Sequence, residues 1–159
     1  MTQPEEGRVS RIDAGTGEVL DTIEVGGFPQ EILYAEGAVW VVDSTGDTVL
    51  RIDPITLRVM RLDAGPWPYR LTAAPGLIFV TNVVEEGTVT VLRSTDGARV
   101  ATLPVGPNPT ATAVVPGPAP DRARASSEGL FWYLWVGRFC SSSSGSLPRS
   151  MCATPPAER

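Results

Sequence analysis

The chain has 159 residues, 42% of them hydrophobic and 19% charged, with 18 acidic against 13 basic side chains and a net charge of -5. Every basic residue is Arg, and the lack of His and Lys removes the commonest general base, the imidazole metal ligand and the Schiff-base amine, so most standard catalytic constellations cannot be built. Residues through Gly117 carry 15 acidic and 8 basic side chains against 3 and 5 beyond it, and an acidic body without clustered Arg argues against a nucleic-acid partner.

The first ten residues, MTQPEEGRVS, have neither a basic n-region nor an apolar h-region, so they are read as an extension over 1–8 and not as a secretory signal. From Val9 to Val25 two short apolar runs predict two outer strands. The next stretch predicts a complete four-stranded unit: Gln30 to Tyr34, Ala38 to Asp43, Thr48 to Asp53 and Arg58 to Asp63. Its second strand is almost wholly apolar, as expected where both sheet faces are covered. Its fourth alternates, with Met60 and Leu62 expected inward and Arg61 and Asp63 outward. A second complete unit spans Tyr69 to Val105, and Thr110 to Val115 predicts one further inner strand. No run keeps i, i+3, i+4 spacing long enough for a helix. The longest apolar run, Leu130 to Val136, is far short of the ~20 residues of a membrane helix.

These units are copies. Ile12-Asp13 is matched by Ile52-Asp53, and Ile12, Ile52 and Leu92 fall 40 residues apart. Each copy carries Gly-x-x-Pro, at Gly26 with Pro29, Gly65 with Pro68, and Gly106 with Pro109, and after the first two prolines the same interval leads to WVVD ending at Asp43 and FVTN ending at Asn82. Four strands per period of about 40 residues are the signature of a β-propeller, with four-stranded antiparallel blades around a central channel. FVTN, the Gly-x-x-Pro turns and the Val-x-Arg-Ile-Asp-x-x-Thr run from Val49 to Thr56 resemble the YVTN-type propeller repeat. That resemblance implies an all-β fold over 9–117, here two complete blades plus partial ones. It also implies a family of bacterial and archaeal proteins that are often exported or displayed at the cell surface. It implies a fold more than a function.

In such a fold the connection holding each repeated proline returns from the outer strand to the innermost one, at the mouth of the channel. Phe28, Gln30 and Glu31 flank one proline; Trp67, Tyr69 and Arg70 flank the next. Aromatic and Arg side chains dominate interface hot spots, which singles out Trp67, Tyr69 and Arg70 as binding residues; the competing reading packs Phe28 and Trp67 between blades. Asp43, with Thr45 and Asp47, and Asn82, with Glu85 and Glu86, sit in equivalent loops on the same rim. Their oxygens suit Ca²⁺, but the same residues build any tight β-turn. The turn reading is preferred, so no catalytic residue, metal or cofactor is assigned.

From Pro118 the pattern lapses into a Ser- and Pro-rich tail, 118–159, that holds both cysteines, Cys140 and Cys152. Two explanations compete. Glu128, Gly129 and Trp132 echo Glu36, Gly37 and Trp40, which reads as a 12-residue insertion followed by a strand at 130–136; alternatively the reading frame changes. The segment from Cys140 on lacks the apolar content to offset its ordering entropy and is expected to be disordered. Two complete blades are fewer than the 4 to 8 of a typical ring, so the chain is expected to be part of a longer propeller or to self-associate, exposing apolar faces such as Val39 to Val42. The favoured function is a non-catalytic binding or scaffold module whose partner, a protein or a small molecule, meets the rim. The alternatives are a metal-dependent propeller enzyme of streptogramin-lyase or lactonase type and the sensor domain of a receptor.

Overall fold

The computed structural model describes residues 1–116 and, as backbone, the strand Trp132–Arg138. The two complete repeats form two antiparallel four-stranded sheets. One holds β4 (Pro29–Ala35), β5 (Ala38–Asp43), β6 (Thr48–Ile52) and β7 (Val59–Asp63); the other holds β8 (Pro68–Ala74), β9 (Leu77–Asn82), β10 (Thr88–Arg93) and β11 (Arg99–Pro104). Ahead of them β1 (Thr2–Gln3), β2 (Arg8–Ile12) and β3 (Val19–Glu24) form a three-stranded sheet. After them β12 (Pro109–Pro116) pairs with β13 (Trp132–Arg138). Among the described residues the helical content is one 3-10 turn, Pro4–Glu6.

Period-2 alternation sends successive side chains to opposite faces of a sheet, and successive sheets stack to bury the apolar ones of the inner strands. Trp40, Val42 and Val49 meet Leu71, Ile78, Val80 and Leu92 between the two complete sheets. Val9 and Val25 meet Val41, Leu50 and Ile52 on one side of this contact. Ala74, Phe79, Val89 and Val91 gather Val105 and Val114 on the other. One polar link recurs with the repeat: Arg11 donates to the Pro54 carbonyl at 3.1 Å and Arg51 to the Ser94 carbonyl at 3.2 Å, each reaching the next sheet. The Arg51 guanidinium also lies 5.8 Å from the ring centre of Trp40, whose indole N–H is satisfied by the Ala35 carbonyl.

Several details depart from the sequence reading. Residues 1–8 are not an appendage: Thr2 and Gln3 pair with Val9 and Arg8. Val39 to Val42 is not an exposed face, since Trp40, Val41 and Val42 are fully buried between sheets. In β7 only Leu62 is partly covered, against Gly97 of the blade that follows, while Met60 is 46% exposed. Arg61 points back to the preceding sheet and bonds the Val25 carbonyl.

The third repeat is displaced along the chain. Each inner strand pairs its proline with the end of the second strand: Pro29 with Asp43, Pro68 with Asn82, and Pro109 with Arg138. The counterpart of Trp40-Val41-Val42-Asp43 is therefore Trp135-Val136-Gly137-Arg138, three residues later than the echo at Trp132 suggests. The insertion before it is correspondingly longer. Both cysteines and the rest of the tail lie outside the described residues.

Candidate functional site

The site is assembled from the first few residues of β4, β8 and β12. All three strands begin with a β-bulge, between Pro29 and Ile32, between Pro68 and Arg70, and between Pro109 and Ala111. A bulge leaves a residue out of the ladder and re-aims its neighbours. In β8 the amide thus freed, that of Arg70, donates to Thr81 Oγ1 at 3.0 Å.

The re-aimed side chains converge. Arg70 Nη1 lies 3.3 Å from Glu31 Oε1, and the other Glu31 oxygen accepts the Leu71 amide at 2.7 Å. The Arg70 guanidinium carbon sits 4.9 Å from the centre of the Tyr69 ring. Deeper along the strands the Thr72 hydroxyl donates to the Thr112 carbonyl at 3.0 Å and meets the Thr112 hydroxyl at 2.5 Å. Together Glu31, Tyr69, Arg70, Thr72, Thr110 and Thr112 line an open groove of 790 Å³. Arg70 is half-exposed, so its ion pair with Glu31 contributes at most about 1 kcal/mol. Its use is to hold a guanidinium over an aromatic ring at the wall of the groove.

At the rim the residues divide into two kinds. Phe28 and Trp67 are 39% and 53% exposed, so neither is packed between blades. Trp67 is held at φ 50, a backbone region costly for a bulky residue. It stays there because its amide donates to Asp47 Oδ1 at 2.9 Å and its carbonyl accepts from Val83 at 2.9 Å. Ser44 ties two blades together, its hydroxyl proton shared between Gln30 Oε1 of its own sheet at 2.7 Å and the Pro68 carbonyl of the next at 2.9 Å.

Asp43 and Asn82, by contrast, are interior. Asp43 is 2% exposed, and its Oδ1 accepts from the Phe28 amide at 2.9 Å, the Gly46 amide at 3.1 Å and the Thr45 hydroxyl at 3.2 Å, with Arg61 3.8 Å away. A Cβ on Gly27 would fall 2.2 Å from this carboxylate, so glycine there is a requirement of packing as well as of its φ of 60. Asn82 is fully buried and reverses the polarity, donating through Nδ2 to Thr88 and Thr90 Oγ1, both at 2.9 Å. Asp43 is spent on turn amides, and Asn82 Nδ2 on hydroxyls of β10, with Asn82 Oδ1 unpartnered among the described residues. Glu31 and the threonines Thr72 and Thr112 carry more of the groove than either. Glu31 was legible as a neighbour of Gln30, whereas nothing marked two threonines 40 residues apart as partners.

The carboxylates held below their ordinary range are elsewhere, at the opposite ends of the strands. Asp13 accepts the Thr16 and Gly15 amides, Asp53 those of Thr56 and Ile55, and Asp96 that of Ala98. Hydrogen bonds to the charged form favour it.

Solved structures share this fold. The chain is similar to Kuenenia stuttgartiensis hydrazine synthase, with TM-score 0.62 and 17% identity over 67% of this chain and 32% of that one. It is also similar to dihydro-heme d1 dehydrogenase NirN in complex with DHE, with TM-score 0.58 and 20% identity over 64% of this chain and 24% of that one. Both are β-propeller proteins, and the fold of this chain is that of propeller blades. The chain spans about a third and a quarter of their lengths. No family model and no curated protein matches it. Among the described residues no helix is long and apolar enough to cross a membrane.

Proposed function

We propose that the chain is a non-catalytic binding module of YVTN-type propeller blades that takes a partner polypeptide at the rim and inner-strand groove. The observation that carries this is the division of labour just described. Of the acidic residues of the rim loops, Asp43 and Asp47 are consumed by turn amides, and the exposed Glu85 and Glu86 share the rim with Phe28, Trp67, Tyr69 and Arg70, whose aromatic and guanidinium groups are hot-spot chemistry. The turn holds Trp67 at φ 50, as it does Asn108 at the same place of the next repeat, and leaves the indole exposed.

Peptide display on the immobilised protein, followed by fluorescence polarisation with the selected peptides, tests the reading. The expected result is affinity reduced at least about tenfold, or 1.4 kcal/mol, by Trp67→Ala or Arg70→Ala with an unchanged melting temperature. Peptides that bind both variants as well as the parent overturn it. So does Ca²⁺- or Mg²⁺-dependent turnover of a lactone panel that is lost in Asp43→Asn.

A further inference from the structure

We infer that the polypeptide taken at the rim is basic, its Arg or Lys side chains laid over Phe28 and Trp67 and their charges met by the carboxylates beside each ring. The inference rests on the reading of the rim as a polypeptide-binding surface and adds the chemistry of what binds. The two rings stand on neighbouring blades and are linked through one residue. The Ser44 amide donates to the Phe28 carbonyl at 3.3 Å, and the Ser44 hydroxyl reaches the carbonyl of Pro68, next to Trp67, at 2.9 Å. Each ring has its own acids. Phe28 shares a hollow of 330 Å³ with Gln3, Pro4, Glu5 and Glu6. The backbone of Trp67 is clasped between two loops, its amide on Asp47 Oδ1 and its carbonyl accepting from Val83, and the second loop runs on to Glu85 and Glu86. An aromatic face attracts a cation through its quadrupole, and a carboxylate alongside supplies the opposite charge.

The balance of charge on this face decides the sign of the partner. Glu5, Glu6, Asp47, Glu85 and Glu86 are exposed, and the loops 44–47, 64–67 and 83–87 hold no Arg. The arginines that reach toward this end are already engaged: Arg8 by Glu6 and Glu24, Arg61 by the Val25 carbonyl and Asp43, and Arg70 by Glu31. Glu5, Glu85 and Glu86, by contrast, have no ion pair or side-chain hydrogen bond among the described residues. The opposite ends of the strands carry carboxylates too, but Asp13, Asp53 and Asp96 are bonded by amides of their own turns and Glu36 by the Gly76 amide. Among the described residues no three carboxylates gather to hold a metal ion. Carboxylates spread along a rim suit a row of separate cations, which a basic polypeptide supplies, and complementarity of this kind selects the partner by charge.

The test uses the full chain and peptides selected on it from a display library of random charge. The selected peptides should be rich in Arg or Lys, and copies with Gln in those places should bind at least about tenfold more weakly. Affinity should fall as salt is raised from about 50 to 500 mM, because the interacting charges are exposed. Glu85→Gln with Glu86→Gln should also weaken binding at least about tenfold, with an unchanged melting temperature. Asp13→Asn with Asp96→Asn, which removes two charges from the far ends of the strands, should leave binding as it was. Selected peptides that are neutral or acidic, yet lose affinity for Trp67→Ala, overturn the basic partner and leave the rim reading standing. Failure to select any peptide, or peptides indifferent to Trp67→Ala, overturns both. Equal losses in the two double variants overturn the inference as well, since the attraction then comes from the net charge of the chain and not from the rim.

Discussion

Ile52 and Ile12 stand at the same position of neighbouring sheets, followed by the same aspartate, yet Ile52 is almost wholly buried and Ile12 is 38% exposed. The central sheet has a neighbour on each face; the N-terminal sheet has one. Burial in this molecule is therefore conferred by the adjacent repeat and not by the residue's own strand, the nearest-neighbour energetics of repeat architectures. The contrast is sharpest at Trp40. Its ring is fully enclosed between the two complete sheets and capped by Arg51. Trp40→Ala should cost about 3–5 kcal/mol, enough to unfold a marginal domain, whereas Ile12→Ala should cost well under the about 2–5 kcal/mol of a core Ile→Ala change. Urea titrations followed by circular dichroism check the pair. Equal losses would mean that the N-terminal sheet is as well covered as the central one.

A smaller effect is expected where the central sheet differs in kind from its successor. Asp43 and Asn82 close equivalent turns, one by accepting hydrogen bonds and one by donating them. Asp43→Ala leaves the Phe28 and Gly46 amides without their acceptor and should cost about 1–3 kcal/mol. Asp43→Asn keeps one acceptor oxygen and should cost less. If the two variants melted together, the carboxylate would not be what organises the turn.

The repeat made the blade plan legible, because Gly-x-x-Pro marks turns whose spacing is independent of what packs on the strands. Terminal pairing was not legible. Thr2 and Gln3 join a sheet through backbone bonds that leave no apolar signature, and the echo at Trp132 misplaced β13 by an odd number of residues, which in a period-2 element also exchanges its faces. The site was half legible. Aromatic and Arg residues beside the prolines stood out, but their position depends on bulges, and a bulge is set by pairing across the sheet. Asp43 and Asn82 looked like rim ligands because a polar loop residue reads alike whether its side chain faces solvent or partners inside the blade.

Smaller still is the expected effect of removing the strained aromatic of the rim. Trp67→Ala removes little buried surface, so stability should stay within about 0.5 kcal/mol. Trp67→Gly should match or exceed the parent, since glycine adopts a φ of 50 without strain. Thermal melts of the two variants decide this. A large loss in either would show that the indole packs against the blade and is not presented to a partner.

The smallest effect tests where the two sheets should not differ at all. Asp13 in the N-terminal sheet and Asp53 in the central one each bond the amides two and three residues on, at 2.8 to 2.9 Å. These bonds hold both carboxyls below the usual carboxylate range. A depressed folded-state value means that the stabilisation is fully present above the unfolded value of 3.8 and is lost as pH falls through the lower, folded one. Asp13→Asn and Asp53→Asn, whose amide oxygen still accepts but does not titrate, should each flatten the acid limb of the stability curve slightly and to the same degree. Both carboxyls are exposed and held first by their own turn's amides, so the Arg11 bond to the Pro54 carbonyl and the Arg51 charge beside Asp53 enter only as minor additions. Melting temperatures from pH 5 down through the folded carboxylate range are the measurement. A greater effect at Asp53 than at Asp13 would mean that even this turn is stabilised by the next blade and not by its own four residues.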